Sequence, residues 1–182
     1  MRKIVAGLFI ALDGVVEAPE QWHFQYHNAE LGKAVEDDQA AADTLLLGRA
    51  TYAGFADFWP TSTIPMAEFM NGVAKVVVST TLETAEWKNT TVIRDNVREQ
   101  LLALKAEPGK DILIAGSTQL IRWLLRERLL DRLHLLLHPV LVGRGERLFE
   151  VEGDRIPLRL VGSRAFETGV VELAYDVEET ER

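Results

Sequence analysis

Two stretches of the chain combine a short apolar run, a glycine and a hydroxyl-bearing segment that begins a helix. Gly48, Arg49 and Thr51 follow three leucines, and Gly116 and Ser117 follow a second apolar run. A glycine lets two backbone segments approach closely, and the unpaired N–H groups of a first helical turn attract anions. Both stretches are therefore candidate phosphate sites, although ordinary strand-to-helix connections of an α/β protein show the same pattern.

Further hydroxyl groups are predicted at the same rim. Ser79 and Thr80 follow a run of three valines, while Thr118 and Gln119 extend the second helix start, for which Ser117 is the expected N-cap. The carboxyl ends of parallel strands meet at one edge of an open sheet, where such folds bind ligands. Several phosphate or ribose contacts along that edge predict a long ligand with more than one phosphate.

A second group of residues suits a small substrate. Asp13 and Gly14 end the first predicted strand, and the rings of Trp22 and His23 follow in a loop. An Asp-Gly pair at a strand end is usually a turn, and loop rings often only anchor the loop to the core. The functional alternative is that Asp13 hydrogen-bonds a substrate ring or assists proton transfer beside a nicotinamide.

Metal and covalent chemistry find little support in the sequence. His134 and His138 lie on a predicted strand, where four residues span about 13 Å, too far for one zinc ion. His23, His27 and Glu30 would share a helix face only if the helix began before residue 27. The chain has no cysteine, so thiolate ligands and thiol nucleophiles are excluded, and no metal site is predicted.

The arrangement of elements predicts an α/β fold. Strands are expected over 3–12, 44–48, 74–81, 90–94, 111–115, 131–142, 157–166 and 170–177, and helices over 27–42 and 49–58, from 97 to before Pro108, and from 117 to about 128. The early strands alternate with helices and should be parallel, while the last two form an antiparallel hairpin. We expect one domain over 1–182, with a mixed, mostly parallel central sheet flanked by helices. Gly143 and Gly145 read as a tight turn, because no helix follows them.

Composition narrows the class of partner. The 182 residues are 47% hydrophobic and carry a net charge of −8, which disfavours nucleic acid and anionic membrane surfaces. The apolar start after Met1 resembles a signal peptide, but Asp13 and Glu17 interrupt it before a cleavage pattern, and no later run reaches the roughly 18 residues of a membrane span. A cytoplasmic protein acting on a small molecule is expected.

In their order and spacing these motifs resemble a known family, the reductase domain of riboflavin biosynthesis (the C-terminal domain of the bacterial bifunctional deaminase-reductase), within the dihydrofolate reductase-like superfamily. The segments that carry the resemblance are Leu12-Asp13-Gly14-Val15, Leu46-Leu47-Gly48-Arg49-Ala50-Thr51-Tyr52, Val77-Val78-Ser79-Thr80-Thr81-Leu82, Ile114-Ala115-Gly116-Ser117, Leu130-Asp131-Arg132-Leu133, and Pro139-Val140-Leu141-Val142-Gly143-Arg144-Gly145 with Leu148-Phe149. The resemblance implies the dihydrofolate reductase-like fold, NADPH as hydride donor and, frequently, a homodimer.

The resemblance also assigns residues. The cofactor phosphates and ribose would contact Gly14, Gly48, Arg49, Thr51, Ser79, Thr80, Gly116, Ser117, Thr118 and Gln119. The family often has a basic residue where Thr80 stands, which leaves NADH possible unless Arg49 or Arg94 substitutes. Ala115-Gly116 replaces the family's paired glycines, and no acid in the 27–42 helix aligns with the pterin-binding carboxylate, so folate reduction is not expected.

These inferences predict an NAD(P)H-dependent reductase of a small heterocyclic, pteridine- or pyrimidine-like, or carbonyl substrate, similar to a 5-amino-6-(5-phosphoribosylamino)uracil reductase. Asp13, Trp22 and His23 would shape the substrate end, with Asp13 as the candidate catalytic residue. Hydride transfer mainly requires that donor and acceptor be held face to face, which suits a chain without a nucleophile motif. The alternatives are a nucleotide-binding sensor or scaffold without turnover and, with less support, a purely structural interaction domain.

Overall fold

Short runs of valine, leucine and isoleucine form the strands, and amphipathic segments between them form the helices. The computed structural model describes residues 1–149 and 155–178. The strands are β1 (Ile4–Ala11), β2 (Ala42–Gly48), β3 (Ala74–Val78), β4 (Thr90–Ile93), β5 (Asp111–Ile114), β6 (Arg132–His138), β7 (Leu158–Ala165) and β8 (Val171–Val177). The α-helices are α1 (Ala29–Ala41), α2 (Arg49–Phe58), α3 (Met66–Gly72), α4 (Val97–Ala106) and α5 (Thr118–Arg126).

The eight strands form one mixed sheet in the order β4-β3-β2-β5-β1-β6-β8-β7. The six strands from β4 to β6 in that order pair in parallel, and β8 and β7 complete the sheet in antiparallel orientation. The predicted α/β class, with a mostly parallel sheet and a C-terminal antiparallel hairpin, is confirmed.

Apolar residues on alternating positions cover both faces of the central strands. On one face, Ile4 of β1 and Ile112 of β5 pack with Leu101 of α4 and Ile121 of α5. The opposite face of the sheet is covered by α1, α2 and α3, and Leu45 belongs to the cluster beneath α2 and α3. Because helices cover both faces, the strand ends at the two edges of the sheet are the natural places for a ligand.

Three predicted segments differ in the structure, and the first of them, the strand predicted over 74–81, ends at Val78. The strand predicted over 131–142 ends at His138, because Pro139 has no N–H to continue the ladder. The loop predicted after Asp13 contains two 3-10 turns, Pro19–Gln21 and Phe24–Tyr26, and helix α1 starts only at Ala29. Within the described ranges, every helix is too short or too polar to cross a lipid bilayer.

Candidate active site

The two predicted glycine turns lie in contact with each other at the carboxyl edge of the sheet. The N–H of Gly48 donates to the carbonyl of Gly116 at 3.2 Å. A Cβ atom on Gly48 would lie 2.9 Å from Cβ of Ser117 and 3.2 Å from its backbone nitrogen, and one on Gly116 would lie 2.8 Å from the hydroxyl of Thr51. Each turn therefore needs its glycine because the other turn fills the space of a side chain.

The two helices that begin at these turns differ in their caps. At α5, the hydroxyl of Ser117 accepts from the N–H of Leu120 at 3.4 Å, so its predicted N-cap role is confirmed. At α2 the N-cap is Gly48, and no side-chain hydrogen bond caps the helix. The first turn of α2 therefore presents backbone N–H groups that suit an anionic group.

A cation lies beside the uncapped start of α2. Arg49 is exposed and its guanidinium donates to the hydroxyl of Thr81 at 2.8 Å, which links the carboxyl ends of β2 and β3. Ser79 is buried, and its hydroxyl accepts from the N–H groups of Thr81 and Leu82 at 3.2 and 3.0 Å. Ser79 thus shapes the loop after β3, whereas the neighbouring Thr80 is exposed.

The other predicted cofactor residues lie along the same edge. Thr118 is buried and Gln119 is exposed at the start of α5. Arg94, at the end of β4, donates to the carbonyls of Leu82 and Glu83 at 3.0 and 2.5 Å. The guanidinium of Arg94 is thereby held by the loop after β3. Arg49 is the first residue of α2, and it is therefore better placed than Arg94 to bind a phosphate at the start of that helix.

Asp13 fastens a neighbouring loop to the end of β1. Its Oδ2 accepts from the N–H of Gly143 at 2.7 Å, and its carbonyl accepts from Arg147 at 3.0 Å. The hydrogen bond from Gly143 lowers the pKa of Asp13, which stays ionised at neutral pH. The second oxygen, Oδ1, is buried and has no partner within the described residues. The carboxylate is thus an acceptor and not a proton donor, and the backbone N–H groups of Val142 and Val15 also lower its pKa.

The turn around Gly143 and Gly145 has the backbone that its glycines predict. Both residues have positive φ, +82° and +108°, which L side chains rarely adopt. Val15 and Arg147 form an isolated antiparallel bridge, and Leu148 donates to the carbonyl of Gly14 at 2.9 Å. The predicted tight turn is confirmed, and it lies against the segment that contains Asp13 and Gly14.

Trp22 and His23 lie in a buried group of rings at the ends of β1 and β6. We call Phe9, Trp22, His23, Tyr26 and His138 the ring cluster. His23 stacks on Phe9 with ring centroids 4.5 Å apart and planes 13° apart. The rings of Trp22, His23 and Tyr26 meet His138 edge-on at 5.2, 6.0 and 5.6 Å. The structure therefore brings Trp22 and His23, two of the three predicted substrate residues, together on the sheet.

The ring cluster is uncharged at neutral pH. Burial, aided by the neighbouring His138, lowers the pKa of His23 to about 4. Burial also lowers the pKa of His138. Neither imidazole is a cation under ordinary conditions, so the cluster is suited to a neutral planar group.

The histidines considered as metal ligands have other partners. Nδ1 of His134 lies 2.7 Å from a carboxylate oxygen of Asp38, and its Nε2 lies 3.0 Å from Glu172. Nδ1 of His138 contacts the carbonyl of Leu136 at 2.8 Å. Among the described residues, no three His, Asp or Glu side chains are grouped so that they could hold a metal ion.

Three contributors to this edge were not singled out from the sequence. Thr81 lay in the predicted run of hydroxyls, but its hydrogen bond to Arg49 joins residues 32 positions apart. Phe9 was visible only as a strand residue, and His138 only as a weak metal candidate. Their roles arise from pairing β1 with β6, where Ala11 lies opposite His138, and local patterns do not reveal that pairing.

Comparison with known proteins places this geometry in a family. A family model described as the RibD C-terminal domain matches residues 2–172. The chain is 30% identical over 186 residues to the uncharacterized protein YyaP of Bacillus subtilis (strain 168), with 96% of this chain and 94% of that protein covered.

Two solved structures have the same fold at low sequence identity. A putative riboflavin biosynthesis protein from Shewanella sp. PV-4 matches with a TM-score of 0.80 and 18% identity, over 98% of this chain and 100% of that one. Dihydrofolate reductase from Enterococcus faecalis, complexed with NADP(H) and RAB-propyl, matches with a TM-score of 0.66 and 16% identity, over 97% of each chain. The chain therefore belongs to the RibD C-terminal domain family and has the dihydrofolate reductase-like fold.

Proposed function

We propose that this protein is an NADPH-dependent reductase of a small heterocyclic, pteridine- or pyrimidine-like, or carbonyl substrate. The observation that carries the proposal is the uncapped start of α2, which lies beside Arg49 and packs against the start of α5. Backbone N–H groups, a guanidinium and nearby hydroxyls form a set of donors suited to a dinucleotide. Membership in a family of reductase domains supports the same function.

Different residues along this edge would bind different parts of the cofactor. Gly48, Arg49, Thr51 and the segment 116–119 would bind its phosphates, Ser79 and Thr80 would lie near the adenosine ribose, and Gly14 would approach it at the end of β1. When bound, a reduced nicotinamide supplies the hydride. The chain's own task is to hold donor and acceptor in fixed positions, which requires rigid turns such as the interlocked pair at Gly48 and Gly116.

We infer a preference for NADPH over NADH. Thr80 brings no charge to the loop after β3, but the hydrogen bond to Thr81 holds the guanidinium of Arg49 at that loop. A guanidinium is suited to bidentate contact with the additional phosphate of NADPH. NADH lacks this group and should bind more weakly.

The substrate would lie at the ends of β1 and β6, near Asp13, Trp22 and His23. Asp13 is held ionised by Gly143, and its buried Oδ1 is an acceptor for a substrate N–H. The carboxylate would orient the substrate ring by this hydrogen bond. The proton that accompanies reduction would then arrive from solvent, because neither Asp13 nor His23 is protonated at neutral pH.

One observation favours a second function, that of a nucleotide-binding sensor or scaffold without turnover. The candidate catalytic carboxylate is fully ionised and takes part in holding the 143–147 turn, so its placement is also explained by structure alone. A protein of this kind would bind NADPH as tightly as the reductase would. Only turnover with a reducible substrate separates the two functions.

We also propose that the protein forms a homodimer through its hairpin edge. Strand β7 is exposed along its whole length, and Leu158, Leu160, Val161 and the nearby Phe149 expose 38–51% of their surface. Exposed edge strands with apolar side chains favour pairing with another chain. Sedimentation of the wild type and of Leu160→Glu tests this: a dimer that the substitution converts to a monomer supports the interface, and a monomeric wild type refutes it.

Titration with NADPH and, separately, NADH tests the proposed function, with the fluorescence of the reduced nicotinamide as readout. Arg49→Ala should weaken NADPH binding by roughly tenfold to a hundredfold, as expected for a lost charge-assisted phosphate contact. Arg94→Ala is the matched control, because that guanidinium already binds two carbonyls. If neither nucleotide binds at millimolar concentration, the glycine turns have only a structural role and the proposed reductase function is refuted.

Oxidation of bound NADPH by a panel of pteridines, pyrimidines and carbonyl compounds then separates the enzyme from the sensor. Turnover of any member supports the reductase. Tight NADPH binding with no turnover by any compound favours the sensor or scaffold.

A further inference from the structure

Two consecutive residues, Arg147 and Leu148, each bind both the segment that contains Asp13 and helix α5. The N–H of Leu148 donates to the carbonyl of Gly14 at 2.9 Å, and the carbonyl of Leu148 accepts from Nε of Arg122 at 3.0 Å. The guanidinium of Arg147 donates to the carbonyl of Asp13 at 3.0 Å, and the carbonyl of Arg147 accepts from Nη2 of Arg122 at 2.5 Å. These two residues, which we call the 147–148 link, therefore connect the segment after β1 to α5.

On the side of α5, the connection depends on the side chain of Arg122. That side chain is only 19% exposed, and its Nη1 lies 3.9 Å from the carboxylate of Glu146. Hydrogen bonds from a charged donor are stronger than those from a neutral one. The planar guanidinium reaches two neighbouring carbonyls at once, which the single ammonium of a lysine cannot do in a fixed geometry.

On the other side, backbone and carboxylate contacts fasten the turn before the link to the segment after β1. The N–H of Gly143 donates to the carboxylate of Asp13 at 2.7 Å, and the N–H of Val16 donates to the carbonyl of Glu146 at 2.9 Å. The N–H of Glu146 donates to the carboxylate of Glu17 at 2.6 Å. Any contact that fixes the 147–148 link therefore also restricts the position of Asp13.

Helix α5 joins Arg122 to the proposed phosphate site. Ser117 is the N-cap of the helix, and Arg122 follows it by five residues, about 7.5 Å along the helix axis. Between and beyond them, Leu120, Ile121 and Leu124 are buried in the core and hold the helix in place. A group bound to the first turn of α5 would thus contact the same packed element that carries Arg122.

We propose that Arg122 is a positioning residue that fixes Asp13 and Gly14 relative to α5, and that NADPH bound at the start of α5 stabilises the 147–148 link through it. The inference rests on the proposed function and adds a coupling between the cofactor end and the substrate end of the site. Binding that restrains a helix also suppresses local opening of the groups held by it. The cofactor would then order the carboxylate of Asp13 before the substrate arrives.

Amide hydrogen exchange of the full chain, followed by NMR with and without saturating NADPH, tests this coupling. The reporters are the N–H groups of Gly143, Val16 and Leu148, since each donates within the connected region. NADPH should slow their exchange in the wild type at least about fivefold, the lower end of typical couplings between two sites. In Arg122→Met, exchange with and without NADPH should agree within about twofold, and by reciprocity the affinity for NADPH should fall by no more than the wild-type coupling factor.

Two further variants make the test specific. Arg98→Met removes an arginine from an exposed ion pair with Glu127, whose atoms lie 3.4 Å apart, and should keep the full effect of NADPH. Arg122→Lys keeps the positive charge without the planar fork and should lose most of the effect, so it replaces Arg122→Met if that variant fails to fold. The wild-type measurement needs no variant.

A purely structural Arg122 gives a different result. Exchange in Arg122→Met would then be faster, but NADPH would still slow it by the wild-type factor, as it also would if NADPH acted only by touching Gly14. Either result would overturn the proposal.

Failure of this inference is distinguishable from failure of the proposed function. NADPH that binds without slowing exchange at the three reporters refutes the coupling through Arg122 and leaves the reductase standing. If NADPH does not bind, the proposed function is refuted, and the inference that rests on it is refuted as well.

Discussion

Lys75 is a fully buried lysine that pairs with no carboxylate of residues 1–149 or 155–178. It is 1% exposed, and its ammonium donates to the carbonyls of Val73 and Lys88 at 2.8 and 3.2 Å. The ammonium also lies 4.3 Å from the ring centroid of Trp87. Burial lowers the pKa of Lys75 from 10.5 to about 8, because two carbonyls and a ring replace less of its hydration than an ion pair would.

This pKa makes the free energy of unfolding depend on pH in a defined direction. Between pH 8 and 10.5 the unfolded chain binds the Lys75 proton more readily than the folded chain, so stability rises with pH. Integrating the two titrations from pH 7 to pH 10 gives a gain of up to about 2.5 kcal/mol. Lys75→Met lacks this contribution. The unfolding free energy of the wild type should therefore increase relative to that of the variant by up to this amount.

Urea unfolding of both proteins at pH 7, 8, 9 and 10 measures the difference. Other groups titrate over this range in both proteins and cancel in the comparison. Lys33→Met is the control, because that side chain is exposed on α1 and should leave the pH dependence close to that of the wild type. If the difference in unfolding free energy between the wild type and Lys75→Met is constant from pH 7 to pH 10, the reasoning is refuted, because Lys75 then has the same pKa in the folded and unfolded states.

Three further predictions concern single side chains. Asp13→Asn should lower kcat at least tenfold while leaving the Kd for NADPH within about twofold, measured by steady-state kinetics and titration; a matched loss in both would contradict its placement at the substrate. Burial alone lowers the pKa of His134, but its hydrogen bonds to Asp38 and Glu172 outweigh this and raise it. The stabilisation is thus complete below about pH 6.5 and lost as pH rises through the raised value, so the destabilisation of His134→Gln should be larger at pH 5.5 than at pH 9 in thermal unfolding; a uniform loss would argue against the ion pairs. Arg49→Ala should lower the free energy of unfolding by less than about 0.5 kcal/mol, because Arg49 is exposed; comparable losses in folding and NADPH binding would remove its assigned role.

Local sequence patterns were sufficient to predict most of the strands and helices of the fold. The leucines of β2 are at most 1% exposed, as their unbroken apolar run predicted, and Gly48 ends the strand where expected. The alternation of strands and helices predicted parallel pairing, because a connecting helix returns the chain to the start of the sheet and the next strand runs in the same direction. The end of β6 at His138 was not predicted, because apolar residues continue past Pro139.

The site was less predictable, because its contacts join distant segments. Asp13 is followed by glycine, which signals a turn, but its partner Gly143 lies 130 residues away. His134 contacts Asp38 on α1 and Glu172 on β8, which lie 96 and 38 positions away from it in the sequence. Those contacts depend on the register of neighbouring strands. The positions of the glycine turns could be predicted, whereas the partners of the charged and aromatic side chains could not.

The strand order has a consequence for how the chain folds as it is made. β1 is the first strand synthesised, yet its two neighbours in the sheet are β5 and β6, and Ala11 finds its partner only at His138. Until β5 has been synthesised, β1 has both edges unpaired, and its edge toward β6 stays unpaired until residues 132–138 follow. Pairings this distant in sequence slow folding and prolong exposure of aggregation-prone segments. The half of the sheet formed by β2, β3 and β4 meets its partners earlier, so a nascent-chain folding intermediate would contain the start of α2 before the ring cluster exists.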